Sequence, residues 1–306
     1  MRYTRYYQPR FWPVFLPMIK HTYDMGVVGN CAFLGLIGTD TAVRWLCWPR
    51  FDSSFVFGSL LDEQKGGECS IRPVAADFTS HQYYVPNTNV LCTEITAADG
   101  TYRVTDFAPR FMQYERYYKP LMFIRKIEPL EGTPRVRAAV RPVGQYGEQE
   151  LTRRRSSNHI AFLGLEEEIR LTTNIPLTYV LDEEDFVLNE TKYLVLTYGA
   201  PLEAALESTA ERFLTSTITY WRNWVKSTSI GNFHQSQVIR SALALKIHQY
   251  EDTLARGPWQ HPQLGLPLLL DARHVLHPHG LQQHRPLRGA RALLPLHRQY
   301  LHQGQR

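Results

Sequence analysis

The sequence predicts a mainly β protein: a β-sandwich first, then two helices, then an irregular C-terminal tail. Three observations carry this reading. Across residues 26–200, short runs rich in Val, Ile, Thr, Tyr and Phe alternate with turn signals. After Gly199 the hydrophobic period changes to that of helices. Near Thr253 the composition itself breaks. Residues 254–306 contain no Lys, Glu, Ser, Thr, Asn, Ile, Phe, Met or Cys, and consist largely of Leu, His, Arg, Gln, Pro, Gly and Ala.

Residues 1–25 read as an N-terminal extension. An apolar stretch at 11–19 follows Arg2, Arg5 and Arg10 in the manner of a secretory leader. It contains Pro13 and Pro17, lacks a small-residue cleavage site and is too short to span a membrane. In the sandwich, the runs 89–96 and 102–107 flank Asp99-Gly100, a hairpin signal. The runs 121–127 and 135–143 flank Glu131-Gly132-Thr133-Pro134, and 186–188 and 193–198 flank Asn189-Glu190. Such spacing favours two packed sheets. Residues 201–233 hold a first helix, predicted over 202–226, with Pro201 at its tolerant first turn and Leu206, Phe213, Ile218, Trp221 and Val225 among polar residues. A second helix is predicted over 236–249, with Val238, Ile239, Ala242, Leu245 and Lys246 at helical spacing.

The formal charge of +5 and the pI of 9.0 belong to the tail, which carries seven Arg against Asp271 alone, whereas residues 1–253 sum to −1. The basic character that would point to a nucleic-acid partner therefore disappears from the globular part. Neither nucleic acid nor membrane is an expected partner. Cys31, Cys47, Cys69 and Cys92 show no C-x-x-C spacing and fit a reducing, cytoplasmic compartment. His277 and His279 flank Pro278 with no Cys or paired acid nearby, so no metal site is read there, and no cofactor is expected. Glu166-Glu167-Glu168 and Asp182-Glu183-Glu184-Asp185 read as solvated turns, since catalytic carboxylates need a pocket and separated pKa values. Arg153-Arg154-Arg155-Ser156 reads as a solvated loop, and Asn189-Glu190-Thr191 is a glycosylation acceptor only in an exported chain.

Five segments carry a family resemblance: Gly29-Asn30-Cys31-Ala32-Phe33-Leu34-Gly35-Leu36-Ile37-Gly38, Arg44-Trp45-Leu46-Cys47-Trp48-Pro49-Arg50-Phe51-Asp52-Ser53, Phe57-Gly58-Ser59-Leu60-Leu61-Asp62, Tyr220-Trp221-Arg222-Asn223-Trp224 and Ile239-Arg240-Ser241-Ala242-Leu243-Ala244-Leu245-Lys246. Over roughly residues 26–253 they resemble the N-terminal trehalase-like domain of glycoside hydrolase family 15, the glucoamylase and trehalase-like enzymes. The resemblance implies a supersandwich-like domain over 26–200, a linker helix over 201–233, and at 234–253 the first helix of an otherwise missing (α/α)6 glycosidase barrel. It also implies inverting hydrolysis of α-glucosidic bonds by two glutamates, acid and base, on that barrel. No residue of this chain matches either glutamate, so none is assigned as catalytic.

The expectation is therefore a hydrolase-family fragment that is inactive by itself, with an α-linked glucose oligosaccharide or trehalose as the family's substrate. The alternative is a non-catalytic α-glucan-binding or scaffold module. Self-association through an uncovered barrel-facing surface is also expected. Trp48, Arg50 and Asp52 are the candidate substrate contacts: an aromatic face stacks on sugar, and Arg with Asp binds hydroxyls at the rim of an active site. A core tryptophan beside an interdomain ion pair accounts for the same three residues. The tail reads as the product of a displaced frame. Moving its codons forward by one base, with free wobble choices, yields NWDYRYCWMRD, which resembles the start of the family's catalytic barrel.

Overall fold

The computed structural model describes residues 24–202 and 204–250. The leader-like stretch, His277, His279 and the tail lie outside the described residues. Four short strands open the fold as an antiparallel sheet: β1 (Met25–Gly29), β2 (Leu34–Gly38), β3 (Val43–Cys47) and β4 (Phe55–Phe57). β5 (Glu68–Pro73) starts a second sheet. The chain then lays down β6 (Phe78–Tyr84), β7 (Leu91–Ala97) and β8 (Gly100–Phe107) as a meander. A small hairpin, β9 (Phe111–Gln113) and β10 (Arg116–Tyr118), precedes the long β11 (Met122–Gly132) and β12 (Arg135–Arg141). The short pair β13 (Val143–Gly144) and β14 (Gln149–Glu150) leads to β15 (Thr152–Arg155), β16 (His159–Leu163) and β17 (Ile169–Thr173). One helical turn, α1 (Leu177–Leu181), then β18 (Asp185–Val187) and β19 (Lys192–Tyr198) close the β region.

The large sheet has eight antiparallel strands in the order β15-β16-β17-β19-β11-β8-β7-β6. Strand parity decides what each of its faces meets. Tyr102, Val104, Phe123, Ile127, Leu194 and Leu196 point into one core shared with Val28, Phe33, Ile37 and Leu46 of the first sheet and Ile71, Val136 and Ala138 of the β18-β12-β5 sheet. Phe107, Ile124, Tyr193 and Val195 point the opposite way, under α2 (Leu206–Ser227). This is a β-sandwich with one of its sheets buried on both sides, which is why the β19 sequence KYLVLTY is apolar almost without alternation.

The hairpin read at Asp99-Gly100 forms, with Ala97 opposite Gly100 across a two-residue turn. The other two turn signals are corners between sheets. β11 pairs with β8 and β19, while β12 pairs with β5 and β18, so the chain changes sheet at Gly132-Pro134 and again between β18 and β19. Gly100 and Gly132 face each other at the first corner, where a Cβ on Gly100 would lie 2.4 Å from the Glu131 carbonyl oxygen. The run Arg153-Arg154-Arg155 is an edge strand rather than a loop. All four residues of β15 are exposed, and their charge suits an edge that must not recruit another strand.

α2 buries Ala210, Phe213, Thr217, Trp221 and Val225, a stripe recurring every three to four residues, with Glu207 in its first turn and Lys226 in its last. α3 (Gln235–Ile247) buries Ala242, Leu243 and Ile247, whereas Leu245, expected on the buried face, is exposed. The buried stripe is thus rotated from the expected one, because Leu243 and Ile247 close on Trp221, Val225 and Cys31. No helix among the described residues is long and apolar enough to cross a membrane.

Candidate functional site

Residues 48–53 link β3 to β4 at one end of the first sheet. Trp48 turns inward. It is only 3% exposed, its ring meets Phe33 edge-on at 5.4 Å, and its indole N–H has no hydrogen-bond partner among the described residues. Its ring is therefore packed into the core. The next residues turn outward because charged side chains stay hydrated unless paired. Arg50 donates from Nε to Asp52 Oδ1 at 3.0 Å, with side chains 54% and 75% exposed. The hydrogen bond from Arg50 holds the Asp52 carboxyl below its ordinary pKa, so it is an acceptor at neutral pH. The Ser53 hydroxyl accepts the Arg50 backbone N–H at 3.2 Å and fixes the turn. The structure thus brings Arg50 and Asp52 together and leaves Trp48 as their anchor.

The loop meets the end of α3. The Arg50 guanidinium lies 5.5 Å from the Tyr250 ring centroid, and Phe51 meets the same ring edge-on at 5.5 Å. α3 in turn is fastened to the sandwich. Arg240 donates to the Thr88 carbonyl at 2.9 Å and to Asn89 Oδ1, and its guanidinium lies 3.8 Å from the Tyr84 ring centroid. Asn89 donates to the Leu243 carbonyl at 3.1 Å, and the Cys31 thiol to the Lys246 carbonyl at 3.2 Å. Asn30 holds the base of this joint. Its amide donates to the carbonyls of Pro109 and Pro120, at 3.1 and 2.8 Å, and its own carbonyl accepts from Arg110 at 2.7 Å. The Gly29–Phe33 motif and Asn89 therefore work as a dock for α3, which Arg240 fastens from the helix side. Tyr250 lies outside the segments patterned in the sequence, and Asn89 was marked there only as the start of the run 89–96.

A general acid for glycoside hydrolysis must keep its proton near neutrality. The carboxyls of Asp52, Asp62, Glu94, Glu190 and Glu211 lie below their ordinary pKa. Asp106 is raised, by burial against the pull of Arg125, but it is sealed in the core. Three acids of the runs noted in the sequence form surface pairs: Glu168 with Arg154 and Arg170, Glu183 with Arg141, and Asp185 with Arg137. No group of three or more His, Cys, Asp or Glu among the described residues is placed to hold a metal ion.

The family described as "Trehalase-like, N-terminal" matches residues 20–185. A trehalase of Thermoplasma volcanium is 30% identical over 238 residues, covering 74% of this chain and 37% of that protein. A trehalase of Thermoplasma acidophilum is 29% identical over 225 residues, covering 71% and 38%. Trehalase 1 of Sulfolobus acidocaldarius is 31% identical over 226 residues, covering 68% and 36%. The chain spans little more than a third of the length of these relatives.

Proposed function

Since this chain belongs to the trehalase-like N-terminal family of glycoside hydrolase family 15, we propose that it is the sandwich portion of an α-glucosidic O-glycosyl hydrolase, of glucoamylase or trehalase type, and does not itself carry the hydrolytic carboxylates. The observation behind this is the dock: Arg240, Asn89 and Cys31 hold α3, the helix that by family likeness begins the barrel, against the sandwich. In this division residues 26–200 are the sandwich, 201–233 the linker and 234–253 the start of the barrel. Inversion requires an acid and a base on opposite sides of the sugar with a water between them. Asp106, whose pKa is raised, is sealed in the core away from any such water, so the acid and base are assigned outside the described residues.

In this role the 48–53 loop contributes to the mouth of the active site. Arg50 and Asp52 offer donors and an ionised acceptor to sugar hydroxyls, and the buried Trp48 keeps the loop in place. The four cysteines are buried and no disulfide joins any two of them, which supports a reducing, cytoplasmic setting.

The second reading, a non-catalytic α-glucan-binding module, is favoured by the covering of both faces of the large sheet by this chain's own elements. One assay separates the two. The 306-residue chain is incubated with trehalose and with maltose, then titrated with maltooligosaccharide. We expect no glucose release, and release above a heat-inactivated control overturns the first proposal. Saturable binding weakened in Arg50→Ala supports the rim loop, and binding wholly indifferent to that change removes it as a sugar contact.

A further inference from the structure

A groove of 520 Å³ runs between the β9–β10 hairpin and the outer side of α2, and every residue lining it is uncharged. That sets it apart from the clefts beside the first sheet, which are lined by Asp40, Arg44 and Glu63. Its volume falls within the range of small-molecule sites. Tyr117 and Tyr220 meet edge to face at 5.9 Å, and Trp224 continues the aromatic wall along the helix. Asn223 adds an amide to the lining, and Thr219 and Ser227, whose hydroxyls donate to the Thr215 and Trp224 carbonyls at 2.9 and 2.8 Å, add acceptor oxygens.

The wall is held from behind. Arg110 is fully buried, with its guanidinium 4.9 Å from the Tyr117 centroid and 5.0 Å from that of Tyr220, and it donates to the Asn30 carbonyl at 2.7 Å. A buried cation behind two rings fixes their orientation before any ligand arrives, which lowers the ordering cost of binding. Tyr117 nevertheless remains 51% exposed.

We propose that this groove is a saccharide-binding site, distinct from the 48–53 loop, that takes a neutral glucan segment. Aromatic faces accept the C–H faces of pyranose rings, neutral donors and acceptors meet the hydroxyls, and the absence of charge disfavours phosphorylated sugars and acidic peptides. The site is argued from its lining. The choice of an α-linked glucan as probe rests on the hydrolase reading.

The test uses the 306-residue chain labelled with ¹⁵N at its six tryptophans, with the Trp224 indole signal assigned by Trp224→Phe. Maltooligosaccharide is added to tens of millimolar. The Trp224 signal moves saturably with a dissociation constant of about 1 mM. Thr219→Arg, an exposed helix position that fills the groove, weakens this at least about tenfold without lowering the thermal midpoint. Arg50→Ala leaves the response intact, so failure of the rim loop and failure of the groove are read on different variants. The proposal is overturned if the Trp224 signal does not move, if glycerol moves it equally, if Arg50→Ala abolishes the response, or if the signal depends on protein concentration without sugar. The last outcome would make the groove an interface between copies.

Discussion

Two arginine–aspartate pairs of nearly equal length lie in this protein, and they do opposite work. Arg125 and Asp106 meet at 2.7 Å with both side chains at 0% exposure, whereas Arg50 and Asp52 meet at 3.0 Å in the open. The buried guanidinium also donates to the carbonyls of Cys69 and Thr41, at 3.1 and 2.5 Å. One side chain therefore ties the large sheet to β5 and to the turn between β2 and β3. The exposed pair stays within its own loop, where the Arg50 guanidinium also lies against the Tyr250 ring. Distance alone ranks the pairs as equals, and dehydration separates them: an ion pair removed from water must be complete, because either charge left alone is strongly destabilising.

The largest effect should follow from breaking the buried pair on one side. Arg125→Met leaves the Asp106 carboxylate buried and unmatched, at a cost of about 3–5 kcal/mol. The pH dependence gives a second readout. Burial already raises the Asp106 pKa, and loss of Arg125 raises it further. A carboxyl with a raised folded pKa favours folding while it is protonated and loses that contribution as pH rises through the folded value. The deficit of the variant should therefore be smaller at pH 5 than at pH 8 in denaturant titrations. A pH-independent deficit would mean that lost packing, not stranded charge, is what matters.

Arg103 and Glu94 form an intermediate case, paired at 2.8 Å with side chains 32% and 28% exposed. The hydrogen bonds from Arg103, and then from Tyr83, hold the Glu94 carboxyl below its ordinary value. Its contribution is present above the unfolded pKa and is lost as pH falls through the folded one. Glu94→Gln should cost about 0.5–1 kcal/mol at pH 7 and nothing once the pH is below the folded pKa. An equal cost at both ends would assign the effect to shape. At the exposed end, Arg50→Met should leave the thermal midpoint unchanged within error, and a measurable drop would show that the contact with Tyr250 holds α3.

The sequence displayed the sandwich through short runs of strand-favouring residues between turn signals, and both helices through their spacing, because burial on one side of a helix imprints a period. It did not display the buried pair. Asp106 and Arg125 sit in unremarkable strand text, and they meet only because the β8–β11 register sets them opposite each other. The corners at Gly132-Pro134 and after Val187 showed only as turns, since a turn signal says that the chain bends and not which sheet it joins. The groove was hidden for a similar reason. Its hairpin turns at Tyr114 and Glu115, with φ of 49° and 61°, where the left-handed backbone favours Asn or Gly. At the rim, the sequence picked out Trp48, Arg50 and Asp52 as a unit but left two readings of it open. The structure divides the unit, sending the tryptophan to the core and the charges to the surface.

The smallest effect tests how far the exposed pair reaches into the protein. Cys47 precedes the loop in sequence, and its thiol is pushed up to about 11, first by burial and then by the Asp52 carboxylate. Asp52→Asn removes the second cause and keeps the first. The thiolate fraction at pH 8 should rise less than about tenfold, and alkylation of Cys47, followed by peptide mass, should quicken in proportion. Burial should still leave this thiol far slower than one in an unfolded control. An unchanged rate would mean that solvent screens Asp52 completely at that distance, and that the rim charges act only outward. A rate rising toward the unfolded control would mean that the Arg50–Asp52 pair holds the loop closed over the core, and the contrast between the two pairs would then be one of degree.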